Sequence, residues 1–470
     1  MRRPNSRSTK ERENESLWRR LSPPQLFVGS FLLLIVLGTL GLKVLPGLYT
    51  GAPLSWLDAL FTAASAVCVT GLIVVDTATY FTTAGQAFIL LLIQLGGLGI
   101  VTFTTVIIIA LGRRLSLRHE VLASGMTDVI PQLNYRRLVR GVFLYTILFE
   151  LSGALLLFGL WAPGMGSAEA VWPALFHSIS AFCNAGFSVF SDSLMGYQRA
   201  PLVQLVVAAL IVLGGIGFLT MEELYLLRKA SREGRRFRLS LHSRIVLSTT
   251  GMLLLAGWIL FAVFEWTVTL SGLPVWAKGI NALFASVTAR TAGFNTIDYA
   301  HAADSTNFLT ILLMFVGGSP GSTAGGIKTT TFALMVLLAW SRFRGRPMTS
   351  VQGRTVPEDT TQRAVGLSVV AFGLVTAAIF AFTATELGNL SHGQSEGRFL
   401  EYMFEAASAF NTVGLSMGVT DDLSVTGRWI AVLLMFIGRV GPLTFVAALV
   451  NQGRPSIKGF RDAYEDVVVG

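Results

Sequence analysis

The sequence predicts an all-α polytopic membrane protein: four tandem span–pore-loop–span repeats, eight transmembrane helices in all, around a single central pore. Three observations carry this. The 470 residues are 52% hydrophobic and 13% charged, with mean hydropathy +0.62, whereas soluble domains carry about 25% charged residues. A short motif occurs four times: AVCVTGL at Ala66–Leu72, AFCNAGF at Ala181–Phe187, TARTAGF at Thr288–Phe294 and AFNTVGL at Ala409–Leu415. Its glycines, Gly71, Gly186, Gly293 and Gly414, lie 115, 107 and 121 residues apart, and a fixed period of this kind marks an internal repeat. Finally, 28 of the 36 Lys and Arg fall in residues 1–24, 113–140, 228–244, 342–363 and 451–470. That one-sided distribution predicts cytoplasmic termini by the positive-inside pattern, and it accounts for the net charge of +9 without nucleic acid.

The elements follow in order. Residues 1–24 form a basic cytoplasmic arm. The apolar stretch Leu26–Leu42 follows that arm as in a signal peptide, but no small-residue cleavage site comes after it, so it reads as a retained helix. Repeat one (25–112) has spans at Gln25–Leu45 and Thr83–Leu111, each long enough to cross a bilayer. Between them Trp56–Val67 is apolar but too short to cross, as a re-entrant half-helix would be. After a cytoplasmic loop (113–140), repeat two (141–228) repeats the pattern with Gly141–Trp161, Trp172–Phe182 and Pro201–Leu227. A second loop (229–244) leads to repeat three (245–341), with Ile245–Leu270, Val275–Ala289 and Asn307–Trp340. A third loop (342–363) precedes repeat four (364–450), with Val365–Leu387, Phe399–Phe410 and Arg428–Val450. The tail (451–470) ends in YEDVVVG.

Non-helical backbone survives at membrane depth only where it is buried in protein or lines a water-filled path. Four such segments at matching places point to one pore. The expected filter is Val69-Thr70-Gly71, Asn184-Ala185-Gly186, Thr291-Ala292-Gly293 and Thr412-Val413-Gly414. Carbonyl oxygens from converging segments replace the hydration shell of a monovalent cation. Glycine reaches backbone angles that other residues avoid. No segment holds a carboxylate, which argues against a divalent-ion site. Three residues before the glycines stand Cys68, Cys183, Arg290 and Asn411. The cysteines owe their matching positions to the repeat, not to a disulfide. Arg290 and Asn411 are expected to support the filter from behind, with Arg290 paired to Glu265, Glu401 or Glu405.

A small-residue knot follows each filter glycine by 25, 28, 24 and 24 residues: Gly96-Gly97-Leu98-Gly99, Gly214-Gly215-Ile216-Gly217, Gly317-Gly318-Ser319-Pro320-Gly321 and Gly438-Arg439-Val440-Gly441-Pro442. The first two are expected to serve close helix packing. The third runs on as GGSPGSTAGGIK, which no helix traverses well. Gly317, Gly318, Ser319, Pro320, Gly321, Ser322, Thr323, Ala324, Gly325, Gly326 and Lys328 are therefore expected to form a gate below the filter. The side chains of Ser319, Ser322, Thr323 and Lys328 are expected to line a cavity there. GSTAGGIKT is not a phosphate loop, because Ile327 separates Gly326 from Lys328 and no strand precedes it. Arg439 stands where the other knots have glycine; a charge within the membrane marks a functional position, here an electrostatic barrier or a partner of the gate.

Other classes fit less well. A secondary transporter of another solute would also use a broken helix, but such folds show two inverted halves. His119, His177, His242, His301 and His392 form no metal-ligand spacing, so no catalytic residue is assigned and an enzyme is not expected. Glu150, Glu265 and Glu386 fall at related places near the ends of the first spans and read as vestibule or pore-helix partners.

SVTARTAGFNT at 286–296 and GGSPGSTAGGIKT at 317–329, set in four such repeats, resemble the Trk/Ktr/HKT superfamily of potassium transporters over residues 25–470. The lack of a helix pair before repeat one, and YEDVVVG at the end, resemble the Ktr branch more than the Trk branch. The resemblance implies potassium as the transported ion at the filter, with Gly71 favouring it over sodium, and uptake that sodium stimulates. It also implies a gate in the third repeat and a homodimer with one pore per protomer, in a bacterial cytoplasmic membrane. The implied partner is a cytosolic ring of KtrA/TrkA-type nucleotide-binding subunits, which would hold the nucleotide; this chain would carry no cofactor of its own.

Overall fold

The computed structural model describes residues 23–112, 135–346, 348–351, 354–388, 390–395 and 397–449. The basic arm up to residue 22, most of the first cytoplasmic loop and the tail with YEDVVVG lie outside the described residues.

Four long helices open the repeats: α1 (Pro23–Val44), α4 (Tyr135–Met165), α8 (Leu241–Glu265) and α12 (Glu358–Phe382), the last continued by a π turn at Thr383–Leu387. Each is apolar and long enough to cross a bilayer, yet no more than 33% of its most apolar stretch is buried within the chain. In a soluble protein such faces would be core. Here Leu33, Leu155, Met252 and Phe380 are all more than half exposed, which is the lipid-facing side of a multi-pass membrane protein.

The buried centre is built from the short helices: α2 (Trp56–Cys68), α5 (Ser167–Cys183), α9 (Val275–Thr288) and α13 (Arg398–Asn411). Their inner halves are almost wholly enclosed, and their small residues (Ala63, Ala64, Ala66; Ala406, Ala407, Ala409) allow the neighbours to pack close. Ser55 caps α2 by accepting from Asp58 N, and Pro274 opens α9. α5 starts earlier than the apolar pattern predicts, because Ser167–Val171 continue the helix outward.

The second spans differ from eight uninterrupted helices. Only α3 (Thr83–Gly112) runs through its knot. In repeat two, α6 (Pro201–Ile216) and α7 (Phe218–Arg232) meet at 100° about Gly217, whose φ is +92. In repeat three, α10 (Asp304–Met314) stops, and α11 (Thr329–Phe343) resumes after the glycine-rich stretch. In repeat four, α14 (Val425–Val440) and α15 (Pro442–Leu449) are separated by Gly441 at φ +88. A two-stranded hairpin, Ser350–Val351 with Arg354–Thr355, joins α11 to α12.

The candidate ion pathway

Each pore helix ends the same way. Val69, Asn184, Thr291 and Thr412 adopt left-handed backbone (φ 56, 59, 70 and 50), and two residues later the filter glycines stand at φ 94, 71, 79 and 93. A hydroxyl on the last turn braces each segment. Ser65 Oγ accepts from Gly71 N at 3.1 Å, and Ser408 Oγ from Gly414 N at 3.1 Å. Ser180 Oγ donates to Phe187 O at 2.7 Å, and Thr288 Oγ1 to Phe294 O at 2.5 Å. The sequence carries this brace as a Ser six residues before the glycine in three repeats, a signal that the reading of the motifs overlooked.

The four segments close into a ring. A Cβ added at Gly71 would strike the Ala185 carbonyl oxygen; at Gly186, that of Ala292; at Gly293, that of Val413; at Gly414, that of Thr70. Each glycine backbone therefore lies against the carbonyl that precedes the glycine of the next repeat, and the series returns to its start. Positive φ and backbone contact together exclude any side chain at these positions. The ring brings together the four glycines and the residue that precedes each, Thr70, Ala185, Ala292 and Val413. Thr70, Thr291 and Thr412 bring hydroxyls that are buried and have no hydrogen-bond partner among the described residues. The four pore helices also direct their C-terminal ends, which carry partial negative charge, at this ring.

Outside the ring lies a cavity of about 250 Å³ that touches all four filter glycines and is lined by Asp76, Asp192 and Asp298, one from each of the first three repeats; repeat four supplies Thr420 there. No Lys or Arg lines it. Three carboxylates over a pore mouth concentrate cations.

Inside the ring lies the broken third span. Its ends are zipped together by Gly317 N to Ile327 O (2.9 Å) and Thr329 N to Gly318 O (3.1 Å). The stretch between them fills the bend of repeat two. Ser319 N donates to Gly215 O (2.9 Å), Thr323 N to Gly214 O (3.3 Å), and Phe218 N to Gly321 O (3.1 Å). A broken helix leaves carbonyls and amides without partners, and the breaks of repeats two and three satisfy each other. The second knot is thus a bend about this glycine-rich stretch, as well as a packing site: Gly214 also faces Phe182 O. The stretch reaches the other segments too. Gly317 lies against Thr291, Gly325 against Thr412 and Gly326 against Asn411.

Several side chains sit differently from the sequence expectation. Ser319, Ser322 and Thr323 do not line an open cavity; they are buried. Ser322 Oγ donates to Ser319 O (2.6 Å), Ser319 Oγ pairs with Thr329 Oγ1 (3.0 Å), and Thr323 Oγ1 lies 3.1 Å from both Phe182 O and Gly214 O. At membrane depth hydroxyls bond inward for want of water. Lys328 Nζ donates to Ala324 O (2.6 Å), holding the stretch in a turn.

Arg290 lies behind the filter but pairs with no carboxylate among the described residues. Its Nη2 donates to Gly317 O at 3.0 Å, on the backbone that the broken span leaves unpaired. Two of the three carboxylates proposed for it are engaged elsewhere: Glu265 accepts from Thr269 N and Oγ1, Ala303 N and Thr306 Oγ1, and Glu405 from Ser416 and Thr420. Glu265 and Glu386 occupy matching places, each holding the start of its own repeat's second span; Glu386 accepts from Ser424 N (3.1 Å) and Oγ (2.6 Å). Glu150 does not belong with them, since it lies midway along α4. Cys68 and Cys183 are free and buried. Asn411 Nδ2 donates to Ala407 O at 2.9 Å. Arg439 is buried; its Nη1 donates to Thr323 O at 2.5 Å and its Nη2 to Gly96 O at 3.1 Å. It ties the gate stretch to the first knot.

Comparison with known proteins agrees with this architecture. The family profile of TrkH, cation transport protein, matches residues 25–455. The chain is 39% identical over 453 residues to the Ktr system potassium uptake protein B of Bacillus subtilis, covering 96% of this chain and 98% of that protein. It is 35% identical to the potassium/sodium uptake protein NtpJ of Enterococcus hirae, with 96% and 98% covered. The crystal structure of the potassium transporter TrkH from Vibrio parahaemolyticus shares the fold, with a TM-score of 0.70 at 19% identity over 93% of this chain and 86% of that one.

Proposed function

The chain belongs to the TrkH family of cation transport proteins, and on that premise we propose that it takes up potassium across the cytoplasmic membrane of a bacterium through the four-segment glycine ring. The closed ring of backbone carries the reading. Carbonyl oxygens from four sides, with the hydroxyls of Thr70, Thr291 and Thr412, substitute for the water around a monovalent cation as it enters from the acidic vestibule. No step involves covalent chemistry.

Below the ring, the stretch Gly317–Lys328 and Arg439 form the gate. Two hydrogen bonds from Arg439 and those of Thr323 hold it closed under the filter. Opening requires that these bonds break together, and Thr323 is the residue that shares three of the four. A cytosolic nucleotide-binding ring of the KtrA/TrkA type, on which a homodimer of this chain rests with its termini in the cytoplasm, supplies the energy for that displacement. The nucleotide stays on the ring, and sodium stimulates uptake. The names of the relatives support two of these points, a partner subunit and a part for sodium, one relative being a component of a Ktr system and another a potassium/sodium uptake protein.

The test is growth of a potassium-uptake-deficient bacterium at low potassium, with the chain expressed alone or with a KtrA-type subunit, and with or without sodium. Rescue that requires the subunit and is enhanced by sodium is expected. Absence of rescue in every arm, with the protein present in the membrane, would sink the reading.

A further inference from the structure

Behind the second filter segment the repeats diverge in a way that packing does not require. Ser178 Oγ donates to Glu150 O at 2.6 Å, and in repeat three Ser286 Oγ donates to Leu254 O at 2.9 Å. Three residues further on, Gly153 and Gly257 make room for those same hydroxyls. Glu150 and Leu254 are therefore counterparts. In repeat one Gly38 faces Ala63 in the same way, which makes Ile35 the third counterpart. A second register covers the following spans. Gly96, Gly214 and Gly438 face Val67 O, Phe182 O and Phe410 O, each four residues before its filter glycine. Gln94 thus stands where the other two repeats have Val212 and Phe436.

The two polar departures meet. Gln94 Nε2 donates to both oxygens of Glu150, at 3.0 and 3.2 Å. Its Oε1 accepts from the Cys183 thiol at 3.2 Å, and the same thiol also lies 3.9 Å from Glu150 Oε1. Gly97 leaves the space, since a Cβ there would stand 3.0 Å from Cys183 Sγ. Cys183 is the last residue of the pore helix, and Asn184, the first of the filter segment, follows it. Glu150 is 6% exposed and forms no salt bridge among the described residues. A buried carboxylate within a membrane is costly, and repeats one and three fill the same place with an aliphatic side chain. A primary amide can turn either end toward a neighbour, whereas an acceptor such as Glu150 draws the NH2 of Gln94 and leaves its carbonyl for the thiol.

We propose that Glu150 is a positioning residue for the second filter segment: by orienting Gln94 onto Cys183 it fixes the inner end of Asn184-Ala185-Gly186, and with it the discrimination between potassium and sodium. The proposal rests on reading the ring as a potassium filter. It names a residue outside the ring that sets the ring's selectivity.

The experiment measures initial uptake of potassium and of sodium by cells expressing the full chain with its cytosolic partner, and compares the ratio of their apparent KM values. Glu150→Leu, the residue of repeat three, should lower the preference for potassium roughly fivefold, the effect of one lost hydrogen bond, with maximal potassium uptake per molecule nearly unchanged. Glu150→Gln keeps an acceptor for Gln94 and should retain the wild-type ratio. A merely structural role would reduce the amount of protein or both maximal rates and leave the ratio alone, so a wild-type ratio in Glu150→Leu overturns the proposal, as does an equal loss in Glu150→Gln. Should Glu150→Leu fail to reach the membrane, Gln94→Val decides: it removes the amide bridge and leaves only the longer 3.9 Å contact of the thiol with Glu150, so it should lower the ratio likewise, and a wild-type ratio there overturns the proposal. Wild-type protein without preference between the ions would instead sink the filter reading on which the proposal stands.

Discussion

The filter layer and the layer just beneath it are built from the same four repeats, yet one is nearly fourfold symmetric and the other is not. In the filter, each repeat contributes a left-handed residue, a hydroxyl brace and a glycine packed on its neighbour's carbonyl. Beneath it, one span is continuous, one bends by 100°, one is interrupted and one carries an arginine. A cation that sheds its water needs oxygens on all sides, so the binding layer must repeat. A gate has to take two arrangements, and a set of unlike contacts can be broken from one direction. On the proposed reading, symmetry follows where the ion is held, and asymmetry where its passage is controlled.

The largest expected effect breaks the symmetric layer. Gly71→Ser places a side chain against the Ala185 carbonyl at a positive φ, and should cut discrimination of potassium over sodium by about tenfold, roughly the 1.4 kcal/mol of a modest carbonyl displacement. Paired flux measurements check it. Gly99→Ala in the same repeat is the control: among the described residues a Cβ there meets only Phe31 at 3.6 Å, and the ion preference should stay as it is.

Next comes the asymmetric layer. Arg439→Ala removes two hydrogen bonds from a charged donor to Thr323 O and Gly96 O, each of a kind worth about 1.5–3 kcal/mol. Flux without the cytosolic partner should rise several-fold, with the potassium-to-sodium ratio retained. A changed ratio with unchanged flux would reverse the assignment of the two layers. Arg439→Lys should fall between, since an ammonium lacks the fork that reaches both carbonyls.

The smallest effects on transport concern the two matching carboxylates at the outer edge, where the expected change is in stability alone. Glu265 is buried and accepts four hydrogen bonds, whereas Glu386 is half-buried and acts mainly through Ser424. Glu386→Ala should cost about 1 kcal/mol, the value of a helix cap. Glu265→Ala should cost about 3 kcal/mol, because it strands buried donors. Thermal unfolding in detergent compares them, and ion preference should be unaffected in both.

How much of this was legible beforehand depended on the kind of feature. The glycines of AVCVTGL and its three echoes were readable because a positive φ against a neighbouring backbone leaves only one residue type. The interrupted third span was readable because five glycines and a proline cannot continue a helix. The bend at Gly217 was not. Its glycine knot looks like that of repeat one, and only the amides of Ser319 and Thr323, arriving from another repeat, make the break stable. The partner of Arg290 was misjudged for a similar reason. Carboxylates are the obvious partners for a buried cation, but in a membrane a broken helix offers carbonyls that need donors just as much.

The sequence by itself determined the membrane class, the fourfold repeat and the four glycines that stand at positive φ, because bilayer length, charge sidedness and backbone angles act within a few residues and leave local signatures in composition and spacing. Only the tertiary structure decided which repeat's carbonyl each glycine faces, that Arg439 binds an oxygen 343 residues away in the chain, and that Glu150, Gln94 and Cys183 form one chain of hydrogen bonds. Those contacts join distant segments, and a hydrogen bond between such segments has no period in the sequence to announce it.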